Sequence, residues 1–124
     1  MRKYVKQRED NELAVFARAR DLISYTLRIT NNPERFPKKV RFTITNRIQD
    51  KVITLYECLL EANEIPRDNP ERINLQRKAL ILCKNLLFLV DLSFEQGYIS
   101  PQSVEHWSKL ILNVKRMTAQ WMQS

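Results

Sequence analysis

Glycine occurs once in the chain, at Gly97, and that scarcity excludes whole fold classes. A β-rich or Rossmann-like domain needs glycine at many turns. A chain almost free of it, and rich in Leu, Arg, Glu, Lys and Gln, reads as long helices joined by short loops. The same scarcity removes any Gly-rich phosphate loop. Histidine is equally sparse, with His106 alone. A di-iron bundle needs Glu-x-x-His on two helices, and the residue three before His106 is Ser103. Some helical-bundle ribonucleases set an Arg a few residues ahead of a His, yet Gly97 to Gln102 contain no Arg. No catalytic residue, metal site or cofactor is predicted, and His106 reads as a surface or interface side chain.

The two cysteines, Cys58 and Cys83, fall inside helical patterns without CxxC or Cys/His spacing, so they read as small core hydrophobes of a reducing compartment. Long hydrophobic runs are absent. The densest, Ala79 to Val90, is broken by Lys84-Asn85 and falls short of the roughly 20 residues a bilayer core requires. Met1 to Arg8 is basic but no apolar stretch follows it, which excludes a signal peptide. A cytoplasmic protein with no membrane partner is expected.

What remains is an ordinary globular composition, 44% hydrophobic and 28% charged over 124 residues, enough for one domain with a real core. The net charge of +7 favours an anionic partner. Arg2, Lys3, Lys6 and Arg8, with no acid among them, suggest a basic flexible arm over residues 1–9, ahead of a helical domain over residues 10–124.

Four helices account for that domain. Glu9 to Glu12 offers cap and dipole-compatible residues for the first. It carries Leu13, Phe16, Ile23 and Leu27 beside a second stripe of Val15, Leu22 and Ile29, and ends by Asn31-Asn32-Pro33. A second helix is predicted from Pro37 to Asn63, about 40 Å long. Its apolar positions form two stripes, Ile44 to Ala62 and then Phe42, Ile53, Tyr56 and Leu60, so it needs neighbours on two sides. Asn69-Pro70-Glu71 opens a third helix, closed by Gly97, and Ser100-Pro101 opens a fourth with Trp107 and Trp121 in its core stripe. The economical architecture is an all-α, antiparallel four-helix bundle. On the third helix Ile81, Phe88 and Leu92 form an extra apolar line among charged residues, the expected surface for self-association.

The stretch from Phe36 to Gln49 is the anomaly. Its first turns carry Lys38, Lys39 and Arg41, where the macrodipole of a helix starting at Pro37 disfavours cations. Arg47 and Lys51 follow, with Asp50 the one acid between residues 35 and 51. Thr43, Thr45, Asn46 and Gln49 supply groups able to hydrogen-bond phosphates or sugars. These five cations and the arm are the predicted contacts for nucleic acid, or for an acidic protein partner. Phe36 and Phe42 are expected to anchor the chain where it enters the helix.

Three passages also resemble a known family. Phe36-Pro37-Lys38, then Arg41-Phe42-Thr43 and Arg47-Ile48-Gln49, look like the second-helix signature of the accessory variability determinant (Avd) of diversity-generating retroelements. More distantly they resemble the bundle proteins encoded in ribosomal RNA intervening sequences. Ser100 to Glu105, Leu110 to Arg116 and Trp121-Met122 are similar to the Avd ending. Thr118-Ala119-Gln120 departs from the pattern, since relatives often carry glycine near the last tryptophan. The resemblance implies a four-helix bundle assembled into a basic homopentameric barrel. It also implies a non-catalytic role, binding the reverse transcriptase and template RNA or cDNA in mutagenic reverse transcription and retrohoming. The alternatives are an intervening-sequence bundle with a structural or interaction role, and a small RNA-cleaving or antitoxin-type bundle.

Overall fold

The computed structural model describes the backbone of residues 2–124 and the side chains from Ala14 onward. Four long helices, α1 (Arg2–Thr30), α2 (Asn46–Glu64), α3 (Pro70–Glu95) and α4 (Pro101–Gln123), make up the fold, with no strand among the described residues. Each helix packs on its chain neighbours and α4 closes on α1. The connections after α2 and α3 are short and the longer one after α1 reverses the chain through the 38–45 turns, so consecutive helices run antiparallel around one core, as an up-and-down bundle requires. Leu22, Ile48, Val52, Leu55, Leu59, Leu86, Val90, Trp107, Ile111 and Val114 fill that core. Cys58 and Cys83 are buried in it as free thiols. Burial pushes the Cys83 thiol up to about 12 and also raises that of Cys58.

Local chemistry sets the ends of α3 and α4. The Asn69 side chain accepts from the Glu71 N–H at 3.0 Å, and Ser100 Oγ accepts from the Ser103 N–H at 3.1 Å. Each cap precedes a first-turn proline. After α3, Gly97 adopts φ 83°. Its N–H reaches Phe94 O and the Tyr98 N–H reaches Ser93 O, both at 2.9 Å. This is the paired closure that needs a left-handed residue at that position.

The expected long second helix is corrected. A 3₁₀ turn (Lys38–Val40) is followed by a π turn (Arg41–Thr45), and α2 begins only at Asn46. The basic residues therefore precede the α-helix rather than forming its first turn. In the π turn the Asn46 N–H bonds to Arg41 O, five residues back. That adds one residue to the turn, roughly 100° of helical phase. Phe36 is buried against Tyr98 and Trp107 and does anchor the chain, but Phe42 is 79% exposed and anchors nothing. Ile53 and Leu60, from the same predicted stripe, also face outward, while Tyr56 packs on Phe16 of α1.

Two further differences concern α1 and α3. The helical backbone of α1 starts at Arg2, ahead of the capping residues Glu9 to Glu12. The arm's candidate contacts Arg2, Lys3, Lys6 and Arg8 lie outside the described side chains. On α3, Ile81 is 57% and Phe88 62% exposed, whereas Leu92 packs against the core.

Candidate nucleic-acid interface

The basic stretch owes its shape to buried anchors on either side of it. Asn32 starts the reversal after α1: its side chain accepts from the Glu34 N–H at 3.0 Å, and its carbonyl accepts from the Phe36 N–H at 2.9 Å. Phe36 then enters the core. Pro37 is extended, at φ −67° and ψ 156°, and the Val40 N–H bonds back to its carbonyl at 3.0 Å. Val40, Ile44 and Thr45 point inward. With those held, Lys38, Lys39, Arg41, Phe42 and Thr43 are left facing solvent.

Between this turn and the end of α1 lies a pocket of about 370 Å³. Lys38 and Arg41 line it on the turn side, Asn46 and Gln49 on the α2 side, and Thr30 and Asn31 on the α1 side. Gln49 ties the two helices together, its Nε2 donating to Thr30 Oγ1 and Asn31 Oδ1, both at 2.9 Å. Thr30 in turn donates to Thr26 O at 2.6 Å. Thr45 also lines the pocket, and its buried hydroxyl has no partner among the described residues.

Arg47 is exposed and Lys51 half-buried on the first turns of α2. Their spacing of four places them on one helix face. None of Lys38, Lys39, Arg41, Arg47 and Lys51 forms an ion pair among the described residues. Lys38, Lys39, Arg41, Arg47 and Lys51 thus belong to one continuous region of the chain, and no carboxylate among the described residues pairs with them. Unpaired cations beside amide and hydroxyl donors match the requirements of a phosphate backbone, which is held by charge and hydrogen bonds irrespective of sequence.

Some features emerge only from the fold. The Thr30–Gln49–Asn31 network joins residues far apart in the chain, and no local pattern announces it. A second groove, about 510 Å³, runs between α3 and α4, with Leu80, Leu112 and Ala119 below Lys84, Lys115 and Arg116. Helical periodicity places Lys115 and Arg116 on the outer side of α4, which was the available signal. His106 is exposed and meets Tyr25 edge-on at 4.7 Å. No Arg precedes it closely in sequence, but two meet residues beside it, Tyr25 and Ser103. Arg28 sits 6.0 Å from the Tyr25 ring centre, and Arg35 Nη1 donates to Ser103 Oγ at 3.1 Å.

No group of His, Cys, Asp and Glu among the described residues is arranged to hold a metal ion. No described helix is long and apolar enough to cross a membrane. No known protein family, curated protein or solved structure matches the chain.

Proposed function

We propose that the chain is a non-catalytic accessory protein of the Avd type. In this reading it holds template RNA or its cDNA beside the reverse transcriptase of a diversity-generating retroelement during mutagenic reverse transcription and retrohoming. The observation that supports it most is the row of exposed cations Lys38, Lys39, Arg41 and Arg47, none paired with a described carboxylate. Such a row gives affinity for a phosphate backbone without sequence readout, which suits a protein that positions a template. The exposed Ile81 and Phe88 on α3 suit self-association. A homopentameric barrel would repeat the basic surface, so that weak contacts act on one polymer together.

Fluorescence anisotropy with a labelled RNA tests the reading directly. Binding should weaken steeply with salt, by about 0.7 log unit per log unit of salt for each single-strand phosphate contact. Replacing both Lys38 and Lys39 by Ala should reduce the slope by roughly 1 to 2. Absence of any complex with RNA, DNA or the element's reverse transcriptase at low salt would remove this function. If the RNA is instead shortened during incubation, and His106→Ala stops it, the Arg28, Arg35 and His106 side becomes the site. Light scattering on wild type and on Ile81→Lys with Phe88→Lys tests the assembly, and a monomeric wild type excludes the pentamer.

A further inference from the structure

A lone exposed phenylalanine is ordinary, but the placement of Phe42 is not. It projects from the π turn, with Lys39 three residues before it, Arg41 beside it and Arg47 five residues after it. Had α2 begun at Pro37 as one regular helix, Phe42 would lie in line with Ile53 and Leu60 on the flank of the bundle. Ile53 and Leu60 also face outward, at 41% and 46% exposure, and Phe42 is more exposed still, at 79%. Wide turns of this kind are frequent at functional sites, and this one sets an aromatic face among unpaired cations.

We infer that Phe42 is a stacking platform for an unpaired base, so that the nucleic acid held at this surface is single-stranded. The inference rests on the nucleic-acid reading above and specifies its ligand. Cations hold the backbone of a single strand while an aromatic ring receives a base, and every base has a face to offer. In a duplex the bases are already stacked inside the helix, and its grooves and phosphates offer Phe42 nothing to stack on. Lys38 and Arg41, at the mouth of the pocket, hold phosphate on the side of the turn toward α1. A second copy of the chain is a poorer occupant. A symmetric contact through Phe42 would set Lys39, Arg41 and Arg47 of one copy against the same residues of the other, and like charges facing each other oppose association.

The test uses the full chain with two fluorescein-labelled RNAs, an oligo-uridine strand and a blunt-ended two-strand duplex, at low salt. Phe42→Ala should weaken oligo-uridine binding roughly tenfold, within the range alanine substitution gives for one stacked base. Duplex affinity and salt slope should stay essentially unchanged. Phe42→Trp should retain the affinity and lose fluorescence on adding unlabelled oligo-uridine, while the buried Trp107 and Trp121 supply a constant background. Equal affinity of wild type and Phe42→Ala for oligo-uridine would overturn the inference while leaving the general function intact. So would an equal loss on both RNAs, or a Phe42→Ala protein that light scattering shows to have dissociated while both affinities fall together. Failure of the wild type to bind either RNA would overturn the RNA-binding reading and the inference with it.

Discussion

Trp107 Nε1 donates a 3.0 Å hydrogen bond to Thr26 Oγ1, and both residues are completely buried. The bond crosses from α4 to α1, the pair of helices that closes the bundle. The same indole meets Phe36 edge-on at 6.3 Å and Tyr25 at 6.1 Å. Closure of the bundle and placement of the basic turn therefore share one side chain.

Thr26→Val should destabilise the protein by about 1–3 kcal/mol in urea unfolding, because it leaves the indole N–H buried without an acceptor. A double-mutant cycle with Trp107→Phe should show the two costs to be less than additive. Fully additive costs would mean that the bond contributes nothing to stability.

The unpartnered Thr45 hydroxyl predicts the opposite sign. Thr45→Val keeps the branched shape and removes a buried polar group that has nothing to bond. It should be neutral or raise stability by about 1 kcal/mol. A clear fall in melting temperature would show that the hydroxyl has a partner in solution.

At Gly97 the cost of a side chain is purely conformational. A Cβ added there meets nothing within 4 Å, yet φ is +83°. Gly97→Ala should lose about 1–2 kcal/mol, and Gly97→Asn less, since Asn tolerates the left-handed region better. Equal stability of the two variants in urea unfolding would argue that the closure of α3 is replaceable.

Cys83 predicts a dependence on pH. Its folded thiol is pushed up to about 12 from an ordinary value of 9.0 by burial. A raised folded value means that the unfolded chain ionises first, so the contribution is complete below about pH 9 and declines as pH rises toward 12. The stability difference between wild type and Cys83→Ala should therefore shrink over that window, by up to about 1.4 kcal/mol per pH unit. A difference that stays constant with pH would contradict this. Below pH 9 a thiol-specific reagent should leave the folded protein unmodified.

The legible parts of the sequence were those governed by local rules. Asn69-Pro70 and Ser100-Pro101 cap their helices as their residue types require. Trp107 and Trp121 occupy the core as the period of α4 predicts. Lys38, Lys39, Arg41 and Arg47 are exposed, the default state of a charged residue, while Lys51 is half-buried. Periodicity puts Phe42, Ile53 and Leu60 on one stripe but does not say whether a neighbour covers it, and all three are exposed. Leu92 was misread because a helix packed between two neighbours buries more than half of its circumference. The side chains of Arg2, Lys3, Lys6 and Arg8 lie outside the described residues.

Sequence alone determined the number of long helices, the caps of α3 and α4, the single left-handed glycine and the clustering of the cations, since each depends on residues within a turn or two of one another. Tertiary structure decided the rest. The Gln49 network and the closure of α4 on α1 through Trp107 join residues distant in the chain, which no local pattern specifies. The same holds for the backbone ahead of α2: Phe36, Val40 and Ile44 are all buried, and the π turn that contains Ile44 closes on a bond from the Asn46 N–H to Arg41 O.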